Sequence, residues 1–387
     1  MTAQGGSQMH VASVDEHKLR AELIREFCEL VQVDSEPYEE ADLGKVVEDK
    51  LLELGFEVER DDAGKKIGGN CGNLIARLPG AQCSDEKPIM LCAHLDRVPP
   101  GKGVKPRLEG DRIVSSGDTV LGADDAAGLV AILWGIRMAR RAQSVLPPLE
   151  VVITVCEEKG LQGSRHLDYS KLQSETGFVF DAARPVGVVI TGAPTHIKFD
   201  VDVIGRAAHA GINPEDGVSA IQTAASAITR VPFGWVDDKT TANIGMITGG
   251  EAMNIVCEHV HLVGEVRSHD DAVAARVLKQ FEDCFADEAA RSGAKTKFEA
   301  STLYKSYHVE ENSRAVQLLR CALDKIGRKM TLELSNGGTD ANQFNANGIE
   351  SVGLGIGFEQ AHSTRESIAV EELVAAAKLA SCLILRT

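Results

Sequence analysis

No CxxC pair occurs among the nine cysteines of this 387-residue chain, which removes a zinc ribbon and a dithiol redox motif from consideration. Neither is there a GxSxG, the nucleophile elbow of serine hydrolases, nor a cysteine at an evident helix start, where its thiol would be activated. Basic charge is in deficit. The 41 Lys and Arg against 57 Asp and Glu leave a net charge of −16, the wrong sign for neutralising phosphates or settling on anionic lipid. Nucleic acid and membrane partners are therefore not expected. The longest apolar stretch, Ala126 to Ile136, is far shorter than the roughly 18 residues that suggest a membrane span. The first fourteen residues, MTAQGGSQMHVASV, lack the basic start and apolar middle of a secretory signal and read as a frayed leader. A cytoplasmic protein is expected, in which Cys92 and Cys156, set in apolar strand-like runs, serve as small buried hydrophobes.

What is present is enough apolar material, 43% of residues, to fill two cores in a chain too long for one. Leu19, Leu23, Ile24, Phe27, Leu30 and Val31 recur at helical spacing, and Val46, Val47, Leu51 and Leu52 do so again before Gly55. A Gly-rich hairpin is expected around Gly68 to Gly72. Apolar runs follow at Ile89 to Ala93, Leu149 to Val155 and Phe178 to Phe180, with a helical pattern from Ala126 to Arg140 between the first two. That order predicts an α/β domain with a central mixed, mainly parallel sheet. From about Thr195 the pattern becomes strand (Ile197 to Ile204), helix (Val218 to Arg230), two strands (Thr241 to Thr248, Ile255 to Arg267), helix (Ala272 to Ser292) and strand (Lys295 to Ala300). This β-α-β-β-α-β order is ferredoxin-like. Residues 195–303 are thus expected to form an α+β domain inserted between two parts of the first, 1–194 and 304–387.

Ligands of open α/β sheets gather beyond the carboxyl ends of the strands, so the polar residues that follow apolar runs carry most information. His94 and Asp96 follow PIMLCA, Glu157 and Glu158 follow LEVVITVC, and Asp181 follows GFVF. Asp124 precedes the helix beginning near Ala126, and His362 follows the Gly-rich run GLGIGFEQAH. Taken singly, each has a plainer explanation: a hydrogen-bonded histidine, a helix cap at Asp124-Asp125, a solvated glutamate pair. Together, two imidazoles and several carboxylates at one rim are a donor set suited to two zinc ions. Such a pair lowers the pKa of a shared water and makes a hydrolytic centre.

These residues resemble a known family, the dinuclear zinc peptidases that include peptidase T, glutamate carboxypeptidase and the aminoacylases. The likeness runs from about residue 16 to the end. AHLDRVPPG is similar to the family's histidine-x-aspartate motif and implies His94 as a metal ligand with Asp96 orienting it. LGADDAAG implies Asp124 as the bridging ligand, and EEKGLQGS implies Glu157 as general base beside the ligand Glu158. Asp181 in FDA and His362 in EQAHSTRE would complete the two metals, each chain holding two divalent ions, expected to be zinc. The resemblance further implies a zinc-exopeptidase-like catalytic domain whose insertion is a lid that often dimerises, giving a homodimer. In it, GRAAHAGINPEDGVSAI offers His209, GGEAMNIV offers Asn254, GEVRS offers Arg267, and NGGTDANQF offers Gly337, Gly338 and Thr339 as contacts to substrate. Ala126 stands where peptidase T-like sequences often carry lysine, and Asn336 where peptidase T has arginine. The expected activity is removal of single residues from short peptides, as by a tripeptide aminopeptidase. An N-acyl amino acid deacylase or carboxypeptidase on the same scaffold, and a catalytically silent metal-binding or scaffold protein, are the alternatives.

Overall fold

A computed structural model describes residues 16–79 and 87–386, and the leader reading falls on residues outside that range. The chain divides into two compact units, one of residues 1–191, 309–333 and 339–387, the other of residues 192–308 and 334–338.

In the first unit, fully buried strands lie at the centre of a sheet and charged ones at its edge. Its order is Glu57–Arg60, Leu74–Leu78, Leu149–Thr154, Ile89–His94, Thr176–Ala182, Glu350–Gly355, then Val188–Ala193. The three inner neighbour pairs are parallel and the flanking pairs antiparallel, a mixed sheet whose parallel strands lie at its centre. Every residue of Ile89–His94 and Leu149–Thr154 is buried, as expected of parallel strands covered on both faces. Ala123–Ala142 packs on Ile89–His94 and Thr176–Ala182, Arg314–Lys325 and Asp340–Ala346 pack on Thr176–Ala182 and Glu350–Gly355, and Glu16–Val31 and Val370–Leu385 lie against Ala123–Ala142. Ala123–Ala142 is buried almost all round because small residues let its neighbours come close: a Cβ on Gly135 would lie 2.4 Å from that of Ala380 in the last helix. A Cβ on Gly128 would lie 2.3 Å from the carbonyl oxygen of Phe180. Glycine there lets the start of this helix press against the strand that carries Asp181.

Two local expectations are corrected. The Gly-rich stretch at residues 68–72 does lie between consecutive antiparallel strands, Glu57–Arg60 and Leu74–Leu78, but their connection is no tight turn: it holds the short helix Ala63–Ile67, ended by Gly68 in a left-handed conformation (φ 78°) that glycine adopts without strain. A small antiparallel sheet of Phe358–Glu359, Ser367–Ala369, Arg112–Ser115 and Pro106–Glu109 was not foreseen, its strands being too short and polar to stand out.

The second unit is an antiparallel sheet with two helices, Ala220–Ile228 and Asp271–Ser292. Its strand order is Gly234–Asp237, Thr240–Gly249, His259–Ser268, Thr195–Ile204, Lys295–Tyr304. The last four have the ferredoxin-like arrangement, and Gly234–Asp237 is an additional edge strand. Alternation along Thr195–Ile204 sends Ile197, Phe199, Val201 and Val203 into a core with Phe281 and Phe285. Each fully buried residue of this kind contributes about 1.5–3 kcal/mol. The expected strand from Ile255 starts only at His259, because residues 254–256 bond to the 208–210 loop instead.

Candidate metal centre

Strand register brings the ligand candidates together. His94 lies opposite Thr154 in the parallel pair, so the next residues of both chains leave the sheet at one rim. In the other pair Cys92 lies opposite Val179, and continuing that register sets Asp181 level with His94. Asp124 occupies the irregular start of its helix, where it and Asp125 keep non-helical backbone angles (φ −82°, ψ 98° and φ −123°, ψ 35°). His362 follows Phe358–Glu359 and itself has a left-handed φ of 61°, a strain characteristic of functional loops.

Asp124 is the hinge of the arrangement. Its Oδ1 lies 3.1 Å from His94 Nε2, while its Oδ2 lies 3.4 Å from His362 Nε2. Glu158 Oε1 is 2.8 Å from that same His362 nitrogen, and Asp181 Oδ1 is 3.5 Å from His94 Nε2. Two sets of donor atoms, His94–Asp124–Glu158 and His94–Glu157–Asp181, each lie within 4.8 Å of one another. The five expected ligands and Glu157 thereby lie together at one rim.

The surroundings of these side chains are fixed by buried carboxylates. Both oxygens of Asp96 accept backbone N–H groups, from Glu157 at 2.9 Å and Glu158 at 3.1 Å, and its Oδ1 is 3.5 Å from His94 Nδ1. Asp125 accepts from the backbone of His94 at 3.1 Å and of Gly128 at 3.0 Å, so it caps the helix and holds the histidine strand at once. Sequence reasoning missed Glu366, which accepts from Gly122 at 2.7 Å and Asp124 at 2.9 Å. It also missed Asp340, buried between the hydroxyls of Ser164 and Thr154. Glu366 lies only four residues after His362, but nothing in a polar turn marks one glutamate as buried.

So much carboxylate in a dry place needs positive charge. Burial, aided by the charge of Asp181, pushes Glu157 well above the usual carboxylate range. Burial likewise raises Asp181 to about 8, and it raises Glu158 despite the hydrogen bond from His362. Hydrogen bonds to Asp124 and Glu158 push His362 up to about 10. Burial works against a charged His94, but Asp181 and Asp124 outweigh it and hold this imidazole well above its ordinary value. Asp124 is lowered, its burial overcome by the two histidines. Histidines drawn into protonation by surplus carboxylates form a donor set that fits divalent cations, which would supply the missing charge.

The candidates for substrate contact fall in different places. In the second unit the peptide groups around His209 and Asn254 adjoin, Ala210 N donating to Asn254 O at 2.9 Å, while His209 Nδ1 accepts from Gly211 N at 3.1 Å within a turn. Arg267 is held sideways by Glu265, with Nε on Oε1 at 3.2 Å and Nη2 on Oε2 at 3.1 Å. Its Nη1 lies 3.4 Å from the Tyr304 hydroxyl, which also accepts from Gly338 N at 3.1 Å. Gly337 N donates to Ser335 Oγ at 3.0 Å. In the first unit the Thr339 side chain caps the helix Asp340–Ala346, accepting from Ala341 N at 3.1 Å.

The chain is similar to known peptidases. Residues 191–293 match a peptidase dimerisation domain of the M20 type, and residues 73–187 match peptidase family M28. The aminopeptidase PepT of Bacillus cereus superposes with a TM-score of 0.88 at 39% identity, covering 95% of this chain and 98% of that one. A tripeptidase of Staphylococcus aureus superposes with a TM-score of 0.90 at 35% identity, covering 94% and 97%. An uncharacterized Bacillus subtilis protein is 39% identical over 362 residues, 94% of this chain and 97% of its own. At such identities over nearly the whole of each chain, the protein belongs to the M20 family of metallopeptidases, in the branch that contains the peptidase T enzymes.

Proposed function

We propose that the protein is an aminopeptidase of short peptides, releasing single amino-terminal residues from substrates of tripeptide size with two divalent ions, zinc in the first instance. The observation that carries this reading is Asp124, whose two oxygens face the imidazoles of His94 and His362 from opposite ends of one carboxylate. Asp124 would bridge the ions, His94 and Asp181 would complete one site, and Glu158 and His362 the other. Bound there, the ions supply Lewis acidity that lowers the pKa of water toward about 7 and polarises the scissile carbonyl. Glu157 takes the proton from the attacking water and delivers it to the departing amine, a task suited to a buried carboxyl whose affinity for protons is already raised. Asp96 fixes the backbone of both glutamates, so that the base and its neighbouring ligand keep separate directions. His209, Asn254, Arg267, Gly337, Gly338 and Thr339 are proposed to contact the peptide.

The amino-terminal direction is supported by the state of Arg267. A carboxypeptidase or deacylase clamp needs a guanidinium edge free for a bidentate contact, and one of the two such edges, Nε–Nη2, is here taken by Glu265. An acidic chain also suits a substrate bearing a free ammonium group. The second unit is proposed to join two copies into a homodimer. Gly234–Asp237 pairs only with Thr240–Ala242, and beyond it the outer edge of Thr240–Gly249 carries Met246 and Ile247, 60% and 57% exposed.

Blocked tripeptides test the activity. N-terminal acetylation is expected to abolish cleavage by the zinc-loaded protein, while C-terminal amidation is tolerated. The reverse pattern makes it a carboxypeptidase or deacylase, and no cleavage of any peptide or N-acyl amino acid supports the silent alternative.

A further inference from the structure

Between the strand Leu149–Thr154 and the glutamate pair, Cys156 takes a left-handed conformation, φ 49° and ψ 40°. A residue with a Cβ pays about 1–2 kcal/mol for this, so its surroundings must enforce it. Three successive amide groups leave this bend, and each donates to a buried carboxylate oxygen. Glu157 and Glu158 donate to Asp96, and Cys156 N donates to Glu40 Oε1 at 3.0 Å. The same oxygen lies 3.0 Å from Cys156 Sγ and accepts from Tyr38 N at 3.0 Å.

Glu40 is 0% exposed, and its other oxygen, Oε2, is buried with no hydrogen-bond partner. Burying a carboxyl group with half its acceptor capacity unused is costly. Its cap position at the helix Ala41–Glu53 does not account for it, since the side chain makes no capping bond to that helix. Nor does the thiol beside it serve as a nucleophile, for burial and the Glu40 contact push Cys156 far above the usual thiol range. What Glu40 does hold, across 116 residues of sequence, is the peptide group just before the general base.

Resting on the reading of Glu157 as that base, we propose that Glu40 is a positioning residue. Its Oε1 fixes the left-handed turn at Cys156 and thereby the direction in which Glu157 leaves the strand. The needed property is one acceptor oxygen at that point, not charge. A glutamine at 40 keeps the oxygen, whereas alanine removes it and aspartate, one methylene shorter, withdraws it.

The experiment uses the full-length, zinc-loaded protein with an unblocked tripeptide. Glu40→Ala is expected to lower kcat by roughly 10- to 100-fold, as small misplacements of a catalytic group do, with KM and zinc content near wild type. Glu40→Gln should retain most of kcat. Should Glu40→Ala fold too poorly to assay, Glu40→Asp carries the same expectation. Hydrogen exchange supplies a readout independent of turnover: the Cys156 amide should exchange faster in the alanine or aspartate variant and stay protected in the glutamine variant. Wild-type kcat in Glu40→Asp, a glutamine variant as impaired as alanine, or unaltered Cys156 exchange would each overturn the proposal. A wild-type protein that cleaves no peptide would instead overturn the assigned activity, and the exchange measurement would still decide the role of Glu40.

Discussion

Glu157 and Glu158 are adjacent, yet their environments differ in the way the two proposed roles require. Glu158 Oε1 meets His362 Nε2 at 2.8 Å in the same cluster as Asp124, the contact pattern of a ligand. Glu157 is raised first by burial and then by Asp181, the condition of a group that exchanges protons. Glu157→Gln is therefore expected to lower tripeptide turnover by about 10²- to 10⁴-fold while zinc content is preserved. Glu158→Ala should lose zinc as well as turnover. Elemental analysis beside steady-state kinetics separates the two, and near-normal turnover by Glu157→Gln would remove it from the mechanism. The central cluster was legible because strand ends concentrate chemistry: a run such as PIMLCAH announces both the strand and the rim. Glu366 and Glu40 were not legible, because each acts through backbone amides more than 100 residues away, and a carboxylate that accepts such bonds looks in sequence like any solvated glutamate.

Elements whose two faces differ in polarity could be read from their spacing, and those held by specific side chains could not. The first helix shows its apolar stripe plainly, but Glu26 sits buried within that stripe. It receives both Nη atoms of Arg137 from the helix Ala123–Ala142, and Lys50 Nζ from Ala41–Glu53 lies 2.8 Å away. Three helices of the first unit are thus joined at one carboxylate. Burial raises this carboxyl, and the bonds from Arg137 and Lys50 more than reverse the effect, leaving its pKa lowered. Glu26→Ala is expected to cost about 1–3 kcal/mol, the penalty for leaving partly buried cations unpaired. Denaturant unfolding of the first unit measures it, and a loss of only a few tenths would mean that water replaces the carboxylate without cost. The edge strand Gly234–Asp237 and the small sheet that contains Ser367–Ala369 illustrate the opposite limit. Runs of three or four residues hold too little alternation to be distinguished from a turn.

For the whole molecule, two expectations follow from surfaces and charges that no single element carries. An open sheet edge bearing apolar side chains invites pairing, so Ile247→Lys should convert a dimer to a monomer in sedimentation analysis; a protein already monomeric at micromolar concentration rejects the proposed assembly. The second expectation concerns the ions. In the ion-free protein the folded pKa values of Glu157, Glu158 and Asp181 are raised, the last to about 8. Such groups favour the fold fully below their unfolded values and cease to do so as pH rises through the folded ones. His362, raised to about 10 by Asp124 and Glu158, has the same sign, its contribution being complete below its unfolded value and lost toward that higher pH. Asp124 is opposite, but its window lies below about pH 4. Between pH 5 and 8 the surplus is therefore one-sided, and chelated protein should melt at progressively lower temperature as pH rises. Cations bound to the same groups favour their charged forms and bind more tightly as protons leave. Added zinc should consequently raise the melting temperature more at pH 8 than at pH 5, flattening the dependence. Calorimetry with and without chelator, at constant ionic strength, compares the two slopes. A chelated protein whose stability rises from pH 5 to 8 would show that something other than bound cations balances these carboxylates.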